Sequence, residues 1–212
     1  MINTEDQEQL LKLVADYLEK DITCIAVGGT AMMLQKYKAT TKDIDLVFKD
    51  EKDREAFIKA IERLGYKQQG TRMIYDKKRH ENKNKPLMYS RGEERFDLFM
   101  KNVFGYKVNF SIERKAQRND FIGKKELILM LPEIEELILL KAITGREKDY
   151  EDIETILEVE KDVKWEQIVE LAVKQKENNE WILIDLEKTL QELKEKYFIK
   201  QEIFEKIYKA QK

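Results

Sequence analysis

One cysteine, one histidine and two prolines in 212 residues remove several chemistries at once. With Cys24 alone, neither an intrachain disulfide nor a cysteine-rich zinc site can form, and a reducing compartment is the expectation. Its neighbours Ile22, Ile25 and Val27 predict a buried structural thiol. A single histidine, His80, leaves histidine metal clusters and serine–histidine catalysis without support. No apolar run approaches the roughly 18 residues of a membrane span, and no charged-then-apolar leader is seen, so a cytoplasmic protein without a membrane partner is expected. A dominant charge is missing too. The 40 Lys and Arg against 42 Asp and Glu leave a formal net charge of -2, so any polyanion site must be local. Gly-Lys-Ser/Thr after a glycine-rich loop is absent, which excludes a P-loop kinase.

What is present is organised around Gly28-Gly29-Thr30-Ala31 and Thr41-Lys42-Asp43-Ile44-Asp45-Leu46-Val47-Phe48. The apolar run from Ile22 to Val27, the glycine pair and the helical composition of Thr30 to Leu34 predict strand, tight turn and helix. The acidic stretch predicts a second strand. Side chains alternate faces along a strand, so Asp43 and Asp45 share one face while Ile44, Leu46 and Phe48 share the other. Two aligned carboxylates repel unless a cation sits between them, and a divalent ion with oxygen ligands is the usual remedy. Glycines at a helix start can turn free N–H groups toward an anion, with triphosphate the obvious one, although glycine pairs also mark ordinary turns. Asp97 interrupts the apolar run Phe96 to Met100; on a neighbouring strand it completes a three-carboxylate cluster able to hold two metal ions roughly 3.5–4 Å apart.

Elsewhere the periodicity predicts helices over Thr4–Lys20 and Glu51–Leu64, further strands over Tyr66–Asp76 and residues 106–110 and 126–131, and a mixed sheet of about five strands. Residues 77–95 hold seven Lys or Arg against three Glu and are expected as a loop or loosened hairpin, either a solvated surface or a substrate-facing rim. Pro132 opens a helix with Glu133, Glu135 and Glu136 in its first turn and Gly145 past its end. Lys141 continues the apolar stripe of Ile134, Leu137 and Ile138, so its ammonium either snorkels to water or serves a site. Asp149 and Asp152 fall near the apolar arc of the next helix and require partners, for which Arg146, Lys148 and Lys141 are available. From Trp165 to Tyr208 only helical faces recur.

Gly-Gly-Thr-Ala, then Thr-x-Asp-Ile-Asp-Leu, then a strand aspartate resembles the DNA polymerase beta-like nucleotidyltransferase superfamily. More narrowly it resembles the branch of abortive-infection toxin-type and antitoxin-type enzymes and their prokaryotic relatives. Leu139-Leu140-Lys141-Ala142-x-x-Gly145-Arg146-x-Lys148-Asp149-x-x-Asp152-Ile153 is similar to the helix motif that follows the catalytic domain in that branch. The resemblance covers roughly residues 22–157. It implies an α/β catalytic domain over 1–131, with a nucleotidyltransferase-like mixed sheet and flanking helices, and a helical bundle over 132–212. It further implies transfer of a nucleoside monophosphate from a nucleoside triphosphate such as ATP to a hydroxyl on RNA, for example tRNA, or on protein. In that scheme Asp43, Asp45 and Asp97 bind Mg²⁺ or Mn²⁺, Gly28, Gly29 and Thr30 cradle the outer phosphates, and Lys141 meets them from the following helix. Many members carry arginine just before the acidic element, where Lys38 is the nearest cation here, and lysine lacks the bidentate fork. A glycosyltransferase shares Asp-x-Asp but leaves the glycine pair and Asp97 unexplained. A nucleotide- or partner-binding module of a toxin–antitoxin-like pair is the non-enzymatic alternative.

Overall fold

The computed structural model describes residues 2–70, 85–110 and 117–212. His80, Arg114, Lys115 and the basic run from Lys77 through residue 84 lie outside the described residues. The chain divides into two compact units, Met1–Val103 with Val108–Pro132, and Phe104–Lys107 with Glu133–Lys212. Among the described residues no helix is long and apolar enough to cross a membrane.

In chain order the first stretch forms β1 (Ile2–Asn3), α1 (Thr4–Tyr17), β2 (Ile22–Ala26), α2 (Gly28–Leu34), β3 (Thr40–Thr41), β4 (Ile44–Phe48), α3 (Glu51–Arg63), β5 (Lys67–Gln69), β6 (Leu87–Arg91), β7 (Glu94–Met100) and β8 (Asn102–Val103). Then come β9 (Tyr106–Lys107), β10 (Arg118–Ile122), β11 (Glu126–Met130), α4 (Ile134–Thr144), α5 (Glu147–Val159), α6 (Trp165–Gln175), α7 (Ile182–Leu193) and α8 (Gln201–Gln211).

The first unit is built on a seven-stranded mixed sheet of order β10-β11-β2-β4-β7-β6-β5. At its centre β4 runs antiparallel to β2 and parallel to β7. Alternation then sorts the two faces. Ile44, Leu46 and Phe48 on β4 and Phe96 and Leu98 on β7 join Leu10, Leu11 and Val14 of α1 and Phe57 and Ile61 of α3 in one apolar core. Each fully buried side chain of this kind contributes about 1.5–3 kcal/mol. Phe57 sits between Phe48 and Phe96 with ring centroids 5.4 and 5.5 Å away, tilted against Phe48 and edge-on to Phe96, the latter an arrangement aromatic pairs prefer. Both helices start on side-chain caps: Asn3 accepts from the Asp6 N–H at 2.9 Å and Asp50 from the Asp53 N–H at 3.0 Å. The odd-numbered residues Asp45, Arg95 and Asp97 are thereby turned to the opposite face of the sheet.

The sheet has seven strands where the periodicity predicts about five, because β10 is short and polar and β6 lies inside the charged run; the strand expected over Tyr66–Asp76 is present as β5, and its part from residue 71 onward lies outside the described residues. Lys85–Arg95 is therefore not a plain loop but leads into the β6–β7 hairpin, turned at Gly92 with φ of 60°. The thiol of Cys24 is fully buried on β2, and burial pushes its pKa up.

In the second unit α4 is the central helix. Leu137 through Ile143 are buried without interruption, the pattern of a helix surrounded on all sides. It packs against α5, α6 and α7, and α8 packs on α6 and α7. Gly145 ends it in the left-handed region, at φ of 57°, where glycine has no Cβ to clash.

Candidate active site

The register of the central strands brings the acidic residues together. β4 and β7 pair in parallel with Asp45 directly opposite Asp97, so both carboxylates project from the same side of adjacent strands. Asp43 precedes the first residue of β4 and joins the cluster through a third side chain. Arg95, two residues before Asp97 and hence on the same face, places its guanidinium between them. Its Nη2 pairs with Asp43 Oδ2 and lies 3.1 Å from Asp97 Oδ2, while its Nε lies 2.9 Å from Asp97 Oδ1. The Asp97 side chain is 2% exposed, against 21% for Asp43 and 26% for Arg95. Burial works against the Arg95 charge, but Asp97 first and then Asp43 more than offset it and raise its pKa.

The glycine turn braces this cluster from the other side. Val27 N–H donates to the Asp45 carbonyl at 3.1 Å, and the backbone then enters α2 through Gly28 at φ of 57°, a conformation that favours glycine. A Cβ on Gly28 would fall 2.5 Å from Asp45 Oδ2, so the carboxylate uses the space that a side chain would fill. Gly29 lies in the same way against the hydroxyl of Thr41, which itself donates to the Asp43 carbonyl at 3.2 Å. Thr30 is fully buried, and its Oγ1 accepts the Asp45 N–H at 2.9 Å and donates to the Asp43 carbonyl at 3.4 Å. Both hydrogen-bonding functions of this hydroxyl are thus spent on the backbone that carries the two aspartates. Thr30→Val is expected to orphan the buried Asp45 N–H and cost about 1–3 kcal/mol. Thr30→Ser keeps the hydroxyl and should lose less, about 0.8 kcal/mol for the missing methyl. Thermal unfolding of the two variants checks this, and equal losses would return Thr30 to simple packing.

A family model described as a nucleotidyltransferase of unknown function (DUF6036) matches residues 5–207. The chain belongs to this nucleotidyltransferase family. No curated protein matches the sequence.

Members of a nucleotidyltransferase family are expected to use a divalent cation, and the donor set fits one. Three carboxylates are the hard oxygen ligands that Mg²⁺ and Mn²⁺ take. They already hold a cation, the Arg95 guanidinium, between two of them. As the side chains stand, no group of three His, Cys, Asp or Glu among the described residues is disposed to hold a metal ion. The oxygens are of the right kind, and Arg95 occupies two of the three carboxylates.

Within the helical unit of the nucleotidyltransferase, Lys141 is buried, with its Nζ 3.1 Å from Asp149 Oδ1 and paired with Asp152 Oδ2. Asp149, 1% exposed, also accepts from Thr144 Oγ1 at 2.6 Å and from Arg146 Nε at 2.6 Å. Burial by itself would raise the Asp149 pKa, but Arg146, Lys141 and Thr144 outweigh it and hold the carboxyl below its usual range. The cation of this cluster that reaches solvent is Arg146, whose side chain is 49% exposed. Arg95 is the residue sequence reasoning missed. It was counted among the charges of the basic run, although Arg-x-Asp on one strand already places both on one face.

Proposed function

We propose that the protein transfers a nucleoside monophosphate from a nucleoside triphosphate to an acceptor hydroxyl on RNA or protein, with release of pyrophosphate, at the face of β4 and β7 that carries Asp43, Asp45 and Asp97. The observation that carries this is the side-by-side placement of Asp45 and Asp97 against the Gly28-Gly29 turn, in a chain whose family is named for that reaction. Asp43, Asp45 and Asp97 would hold Mg²⁺ or Mn²⁺. When bound, the cation would neutralise triphosphate charge and lower the pKa of the acceptor hydroxyl. Asp97, almost fully buried, takes the acceptor proton or holds the cation, and Asp45 is fixed for its part by Thr30 and Val27. Gly28 and Gly29 let the Asp45 carboxylate and the Thr41 hydroxyl pack directly against the turn, so their part is to position the acidic face that the outer phosphates would approach. Lys141 would meet those phosphates only by leaving Asp149 and Asp152, so we assign it to holding that buried cluster.

A binding module of a toxin–antitoxin-like pair is the second reading, and one observation favours it. Arg95 pairs with Asp43 and Asp97 from within the chain, so the acidic cluster can persist in a protein that catalyses nothing. The two readings separate when the protein is incubated with each labelled nucleoside triphosphate, Mg²⁺ or Mn²⁺, total RNA and cell protein. Label covalently attached to RNA, tRNA included, or to protein is the expected result and names the acceptor. Nucleotide bound but never transferred would leave the binding module.

A further inference from the structure

Arg95 reaches Asp97 with two nitrogens and Asp43 with one, so it uses oxygens from two of the three carboxylates of the site. A guanidinium is a flat, permanent cation whose forked donors match carboxylates, and it suits this place better than a lysine ammonium would. Asp97 has no access to bulk water, and its charge is compensated from within the same strand, two residues away. A metal ion would require the same oxygens, and its two positive charges would be set against the guanidinium in a partly buried space. Guanidinium and metal ion therefore exclude one another at Asp43 and Asp97. Arg95 also has a route to solvent, since a quarter of its side chain is already exposed.

We propose that Arg95 is a displaceable counter-ion, a positioning residue that holds Asp43 and Asp97 in place while no metal is bound and must swing out before a divalent cation can enter. Loading of the site is then an exchange of one cation for another, and Arg95 sets how tightly the metal is held. The inference rests on the assignment of Asp43, Asp45 and Asp97 as cation ligands.

The test is direct binding of Mn²⁺ to the full chain, followed by electron paramagnetic resonance of the free ion, in wild type, Arg95→Gln and Asp45→Asn. Without the competing guanidinium, Arg95→Gln should bind Mn²⁺ at least tenfold more tightly than wild type, and Asp45→Asn should bind it more weakly. If Arg95→Gln binds Mn²⁺ no better than wild type while Asp45→Asn still loses affinity, the counter-ion role is overturned and the cation site stands. If none of the three proteins binds Mn²⁺, the ligand assignment fails and takes this inference with it. Because Arg95→Gln leaves Asp97 uncompensated and can fail to fold, a second measurement uses wild type alone. The Nε–H resonance of Arg95 in ¹⁵N-labelled protein is assigned by its loss in Arg95→Lys. It should shift or exchange rapidly on addition of saturating Mg²⁺, and a resonance unmoved by Mg²⁺ would overturn the proposal.

Discussion

Asp45→Asn should lower nucleotide transfer at least a thousandfold while the metal-free protein melts at the same temperature as wild type or higher. A thousandfold is about 4 kcal/mol of lost transition-state stabilisation, at 1.36 kcal/mol per factor of ten. Loss of one ligand from a cation site of the proposed kind is of that order, since metal-ion chemistry contributes several kcal/mol. Folding runs the other way. Asp45 and Asp97 are register partners, and like charges facing each other on neighbouring strands oppose assembly. Arg95 pairs with Asp43 and Asp97 and also feels the charge of Asp45, so an amide at position 45 relieves repulsion among the three carboxylates while leaving both pairs in place. Asparagine has the same shape and leaves the contact with Gly28 in place. Unchanged transfer in a folded Asp45→Asn protein would refute the active-site assignment. Lower stability together with lower transfer would mean that the carboxylate is held for structural reasons.

The largest stability effect is expected at Lys141→Met. Methionine fills a similar volume but leaves Asp149 and Asp152 facing each other in the helical unit without their shared ammonium. Breaking a buried ion pair by removing one partner costs about 3–5 kcal/mol. At about 2–4 °C per kcal/mol for a chain of this size, the melting temperature should fall by roughly 6–20 °C. The effect should depend on pH with a defined sign. Asp149 titrates below its usual range in the folded protein, so its contribution is fully present above the unfolded aspartate pKa of about 3.9 and is lost as pH falls through the lower folded value. Protonation of Asp149 relieves the variant of the carboxylate charge that lost the Lys141 ammonium, so the gap between Lys141→Met and wild type should narrow below about pH 4. A gap constant from neutral pH to pH 3 would show that Lys141 acts through packing of its stem.

The core of this site was legible in the sequence because its elements are local: the glycine pair, the Asp43 and Asp45 alternation and Asp97 within an apolar run each declare a face. The mixed sheet with flanking helices followed from the same periodicity. What could not be read depends on partners far along the chain. β10 is Arg118–Ile122, of which only Phe121 is buried, and β6 lies inside a charged run. Strands of that kind exist because a neighbour supplies their hydrogen bonds. Thr30 shows no sign of its task, since its two backbone partners lie 13 and 15 residues away. Arg95 was hidden by company: amid six other cations in residues 77–95, its position opposite Asp43 emerges only once β4 and β7 are paired.

The position of β2 also sets the order in which this protein can be completed as it leaves the ribosome. β2 is flanked by β4 on one side and by β11 on the other, yet β11 follows it by about a hundred residues. Asp43, Asp45, Arg95 and Asp97 all emerge before β11 exists, so the charged face can be assembled on a sheet whose apolar strand β2 still has one open edge. Leu127 and Leu129 close that edge, and both are completely buried in the finished sheet. Until they arrive, the nascent chain offers a row of unpaired backbone groups beside Ile22 and Cys24, the kind of edge on which chains join one another. The parallel pairing of β11 with β2 thus closes that edge once the chain is long enough to include it.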